Sequence, residues 1–283
     1  MYRVTDFAIK LGIFRKINIK MFIWQRLIIS VVLGIFTALL IILPSFPILV
    51  DYKSPSPQLP HSLTPSLPPS PPLPKPHPLP PTLAQWQDST NSGDYFAQVT
   101  PVEEGYLVWS QFPVRVYVEP PRTVNNQQAE AWVNFVVQAV REWNAYLSLT
   151  VIEKPEEADI TIVRKAPPLQ TSPGSKIPRA RSAQTNYKSY ISKNNLLSHR
   201  FIIFLSPSQT GQYVLAAARH ELGHALGIWG HSLQQTDALF FSQVRNPPPI
   251  SPRDVNTLKR VYEQPTTLGW SVELSNKKYF KTS

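Results

Sequence analysis

From Pro113 onward the chain switches between two hydrophobic periods. Pro113–Glu119 (PVRVYVE) is apolar at every second position, the period of a strand with one buried face. Asn125–Leu147 then places Ala129, Trp132, Val133, Val136, Val137, Val140 and Trp143 at helical spacing, which predicts a long amphipathic helix. Leu149–Glu153 and Ala158–Arg164 (ADITIVR) return to strand spacing, and Ser182–Ile191 predicts a further strand. Phe201–Leu205 (FIIFL) reads as a buried strand, and Gly211–Ile228 and Ser251–Glu263 as two more helices. Ser251 is suited to cap the last helix and Pro252 to open it, because proline has no N–H to leave unpaired there. The order β-α-β-β-β-β-α-α predicts an α+β domain, one twisted sheet with three helices packed on it.

Upstream the pattern differs. Leu27–Leu43 (LIISVVLGIFTALLIIL) carries no charge and is long enough for a short membrane span. Arg3, Lys10, Arg15, Lys16, Lys20 and Arg26 precede it, which keeps that end in the cytoplasm. The following LPSFPILVDYKS has large residues where a signal-peptide cleavage site needs small ones, so an uncleaved signal anchor is the favoured reading. Half of the 30 prolines fall between Pro44 and Pro81, where lost donors and fixed φ prevent both helix and sheet. The expected layout is a basic cytoplasmic segment at 1–26, a transmembrane helix at 27–43, a Pro-rich disordered linker at 44–81 and a folded domain at 82–283. The domain then lies on the non-cytoplasmic side of a membrane, or is exported if the N-terminal segment is cut.

Charge and cysteine content narrow the chemistry. The absence of cysteine excludes disulfides and thiolate metal sites. The net charge of +10 would suit nucleic acid, but six of the cations flank the apolar segment. A second basic run, Arg164–Arg200, has no acidic residue and no accompanying nucleic-acid motif. It reads as a solvated loop rather than a nucleic-acid surface.

The candidate chemistry lies in His220-Glu221-Leu222-Gly223-His224, followed by Gly227 and His231. Residues four apart on a helix share a face, so His220 and His224 are placed to hold one zinc ion, each at about 2.0–2.1 Å. Gly227 can end the helix in a left-handed conformation and let the chain return with His231 as third ligand. Three protein ligands leave an open position, where zinc lowers the pKa of water to about 7 and Glu221 can act as general base. His61, His77 and His199 read as ordinary solvated residues.

HELGHALG followed by GHS resembles the matrixin branch of the metzincin peptidases, notably its small bacterial members. SPRDVNTLKRVY is similar to that family's C-terminal helix, and AEAWVNFVVQAVREWN with ADITIV to its first helix and third strand. The resemblance spans about Pro113–Tyr262. It implies a metzincin-like zincin fold with a mixed five-stranded sheet, a peptide substrate extended along the edge strand, zinc held by His220, His224 and His231, and Glu221 as catalytic base.

Two departures stand out. The third histidine comes four residues after the glycine where the family usually has three, so the loop must take up slack, with Trp229 expected to bulge outward. The family's methionine-containing turn is matched by Asp237–Phe241, which puts Phe240 where the methionine would be and predicts slower or altered activity. Two other readings compete. One is a zinc-containing, catalytically weak or inactive peptide-binding module tethered to the membrane. The other is a zinc hydrolase whose third ligand is Glu263 or Glu273.

Overall fold

A computed structural model describes residues 71–122, 124–169 and 180–273. The basic segment at 1–26, the apolar segment at 27–43 and the linker up to residue 70 lie outside the described residues, as does His61. Among the described residues no helix is long and apolar enough to cross a membrane.

Five strands form one mixed sheet. They are β1 (Val114–Val118), β2 (Leu149–Ile152), β3 (Ile160–Arg164), β4 (Ala183–Ile191) and β5 (Leu197–Leu205). Their spatial order is β2-β1-β3-β5-β4. The first four in that order run parallel, and β4 is antiparallel at the edge. Among the described residues four α-helices accompany the sheet: α1 (Pro81–Gln85), α2 (Asn126–Asn144), α3 (Gln212–Ala225) and α4 (Pro252–Tyr262). The three expected helices are present, and α1 is the addition. It is a single turn begun by Pro81, too short to show a hydrophobic period.

Local chemistry explains the helix ends. Asn125 caps α2 by accepting from the Gln128 N–H. The stripe Trp132, Val136, Ala139, Val140 and Trp143 is the buried face of α2, at the spacing its sequence predicts. Ser251 and Asp254 form a reciprocal capping box on α4, with Pro252 in the first turn. Helices α2 and α3 are joined by the partly buried Arg219–Glu142 ion pair at 2.6 Å and by a 2.8 Å hydrogen bond from the Trp143 indole to the Arg219 carbonyl.

Two expectations are corrected here. His199 is not solvated. It lies within β5, which begins at Leu197, and is 3% exposed. In this strand 199, 201, 203 and 205 share the buried face, and the His199 ring stacks on Trp109 at 4.1 Å. Burial pushes its pKa down to about 3, so it is neutral. His77 is docked rather than free in a stalk. Its ring stacks on Trp270 at 4.3 Å and its Nε2 lies 2.8 Å from the Leu268 carbonyl. Beside it Lys75 and Thr266 exchange backbone hydrogen bonds of 3.0 and 3.1 Å, so the packed domain begins ahead of Thr82. An extended proline tract can dock this way because its carbonyls, and the N–H of an interspersed Lys75, remain free to pair.

Candidate metal centre

Helix α3 ends where the sequence requires. The Gly227 N–H bonds to the His224 carbonyl and the Ile228 N–H to the Gly223 carbonyl, at 3.1 and 3.0 Å. This is the Schellman pattern, with Gly227 at φ +133°. Two more terminal carbonyls are capped by side chains. The Trp109 indole donates to Ala225 and the Tyr262 hydroxyl to Leu226, at 2.9 and 3.0 Å. With its last turn fixed in this way, α3 presents His220 and His224 to the cleft as a rigid pair.

The return to His231 departs from expectation. Trp229 does not bulge outward. It is half-buried, with its ring 5.5 Å from Tyr187 and 5.9 Å from His224. The extra residue is absorbed by two successive three-residue turns, Trp229 N–H to the Gly227 carbonyl and Gly230 N–H to the Ile228 carbonyl, both 2.9 Å. A large aromatic has more apolar area to bury than a tight turn costs in strain, so it faces inward. Gly230 then pairs with Val99, and a Cβ at this position would meet the Gln98 carbonyl oxygen at 2.1 Å.

His220, His224 and His231 converge. One ring nitrogen from each lies within 4.8 Å of the others, and the three could hold a metal ion. His220 Nδ1 is 2.9 Å from the Ala238 carbonyl, and His224 Nδ1 is 2.7 Å from the Ile228 carbonyl. A carbonyl can only accept, so both Nδ1 atoms carry the proton and both Nε2 atoms are bare. Those Nε2 atoms face each other at 3.1 Å. Two lone pairs so placed repel unless a cation lies beside both. Burial, reinforced by the neighbouring imidazoles, holds His220 and His224 down to about 4. Burial and then the Arg181 charge also push His231 downward. All three rings are therefore neutral near pH 7, the form that binds metal, and the donor set suits zinc.

Glu221 lines the same cleft and reaches toward β4. Its Oε2 accepts a 2.6 Å hydrogen bond from the Thr185 hydroxyl. Burial raises the Glu221 pKa, while His220 and the Thr185 bond pull it back. Glu263, weighed as a distant ligand, is exposed at the end of α4 and outside the histidine cluster, as is Glu273.

The histidines and Glu221 line a cleft of about 1160 Å³ bounded on one side by β4. The ladder shows which backbone groups β4 leaves free. The Ser206 N–H bonds to the Ser182 carbonyl and the Ser192 N–H to the Leu196 carbonyl. Given the register Ala183↔Leu205 to Ile191↔Leu197, the even-numbered residues of β4 bond to β5. The odd-numbered ones, Ala183, Thr185, Tyr187 and Ser189, turn their N–H and C=O groups outward. Among the described residues no strand pairs with that edge.

Sequence reasoning missed Thr185, Trp109, Tyr262 and Asp254, which support the site from distant positions. No protein-family model matches the chain, and no curated protein matches it either.

Proposed function

We propose that this chain is a zinc-dependent endopeptidase of the matrixin-like metzincin type, with His220, His224 and His231 as zinc ligands and Glu221 as general base. The observation that carries the reading is the convergence of three imidazole rings, two of them with bare Nε2 atoms, beside a buried carboxylate at the open edge of a sheet. A zinc ion held there supplies a Lewis acid for a scissile carbonyl and a more acidic water. The outward N–H and C=O groups of Ala183, Thr185 and Tyr187 pair with an extended peptide as an added strand. Glu221 takes the proton of the attacking water and delivers it to the departing amine nitrogen. The Ala238 and Ile228 carbonyls keep His220 and His224 in the tautomer that leaves Nε2 free. The N-terminal apolar segment tethers this domain to a membrane, as its sequence suggests.

The test is Glu221→Gln, with peptide hydrolysis and zinc content measured on the same sample. As a base, Glu221 contributes about 10²–10⁴-fold to turnover and little to zinc affinity. Cleavage should therefore vanish while zinc stays. A wild-type protein that carries zinc and cleaves no unfolded polypeptide would end the peptidase reading in favour of a binding module.

A further inference from the structure

Glu221 sits in an asymmetric setting. The residue is 7% exposed, and among the described residues the side chain that donates to its carboxylate is Thr185, whose backbone N–H also lies on the carboxylate's side. That hydroxyl has one proton and two acceptors in reach, Oε2 at 2.6 Å and the Glu221 backbone carbonyl at 3.1 Å. The shorter bond goes to the charged acceptor and is the stronger. Oε1 accepts no side-chain hydrogen bond among the described residues, and Glu221 lines the cleft, so Oε1 is the oxygen left to face it. The terminal torsion of a glutamate is otherwise soft, whereas a β-branched threonine on a strand is stiff.

The same residue faces the other way as well. Thr185 is an odd-numbered position of β4, so its backbone N–H and C=O point out along the free edge while its side chain points in. Base and docking strand therefore meet in one residue. We propose that Thr185 is a positioning residue that fixes which carboxylate oxygen of Glu221 faces the substrate, and that it sets this orientation in register with the strand on which the substrate pairs. The proposal rests on the peptidase reading.

Thr185→Val keeps the shape, the β-branch and the outward backbone groups but removes the donor. Thr185→Ser restores the donor. In zinc-loaded protein, Thr185→Val should lower kcat by about tenfold and leave KM within about twofold, because the backbone pairing survives. Thr185→Ser should recover most of kcat. Metal-free protein gives a readout independent of turnover. The Glu221 carboxyl band in the infrared spectrum, assigned by its loss in Glu221→Gln, should shift in Thr185→Val and return in Thr185→Ser. Wild-type kcat in Thr185→Val would overturn the proposal while leaving the peptidase reading intact. So would a loss of kcat in both variants, which would point to packing alone, or an unmoved band. A band that shifts in metal-free Thr185→Val, together with a zinc-loaded wild type that cleaves nothing, would remove the reaction itself, and the positioning role with it.

Discussion

Gly230→Ala tests whether the path from α3 to His231 is as constrained as the geometry implies. A Cβ there would lie 2.1 Å from the Gln98 carbonyl oxygen. A carbon–oxygen contact is comfortable only beyond about 3.3 Å, so the two segments must part by about 1 Å. The clash is with backbone, and no side-chain rotation relieves it. The Thr100 N–H to Trp229 carbonyl bond, now 3.0 Å, stretches past hydrogen-bonding distance. Its loss costs only about 1 kcal/mol, so the fold survives. The metal site is less tolerant, since ligand bonds accept deviations of about 0.2 Å. A displaced His231 should weaken zinc binding by about 10–100-fold, toward the value of His231→Ala. Competition with a chromogenic chelator, run beside thermal melts of the metal-free proteins, measures both quantities. Wild-type zinc affinity in Gly230→Ala would show either that His231 is not a ligand or that the loop is slack. Gly223→Ala is the contrast. There the Cβ meets the Leu239 side chain at 2.6 Å, which can give way, so Tm should fall with a smaller change in zinc affinity.

Two further outcomes follow from the sheet. His199 is held down to about 3 by burial, below its ordinary value of about 6.5. The unfolded chain takes up this proton first as pH falls, so the stability due to neutral burial is complete above about pH 6.5 and is lost toward pH 3. Urea midpoints of metal-free protein should drop between pH 7 and pH 5, and His199→Phe should drop less; equal drops would refute the assignment. On β4, Tyr187→Pro removes an outward N–H and should raise KM by about 2–10-fold over Tyr187→Ala, which loses the same ring contacts with Trp229 and Phe201, whereas Asn186→Pro breaks the ladder to Ile202 and should lower Tm below that of Asn186→Ala. The same response at both positions would place the peptide elsewhere.

How much of this was legible depends on the sequence distance over which each feature acts. The histidine pair, the terminating Gly227 and the order of the elements are set by spacings within one helix or strand, and a single sequence displays them. The resemblance implied an edge strand without saying which segment forms it, and the segment predicted at Ser182–Ile191 lies at an edge of the sheet as β4. Thr185 to Glu221 spans 36 positions, and nothing local marks that threonine. His199 did carry a signal. Extending the alternation of Phe201, Ile203 and Leu205 back by two residues puts it on the buried face. Starting the strand at Phe201 hid that. Trp229 was misplaced because a count of residues gives the slack in a loop but not the direction in which an aromatic will turn to shed water.

Phe240, where the resemblance would lead one to expect a methionine, shows what the turn under the histidines does. Phe240 is buried and lines the cleft, but the residue against the ligand helix is Leu239, packed on Gly223. The atom that acts on the histidine cluster is the Ala238 carbonyl oxygen, which fixes the His220 tautomer. It is held by polar anchors rather than by the side chain at 240. The buried Asp254 carboxylate accepts from the Ala238 N–H at 2.8 Å, from the Ser251 N–H at 2.8 Å and from the Tyr95 hydroxyl at 2.5 Å. Asp237 accepts from the Ser232 and Ser251 hydroxyls and from Arg253, which ties the turn to the start of α4. Burial raises the Asp254 pKa, and these donors oppose the rise. A turn clamped in this way keeps its carbonyl aimed at His220 whatever apolar side chain follows. The orientation of the ligand is then a property of backbone and carboxylates, and sulfur at position 240 is not required for it.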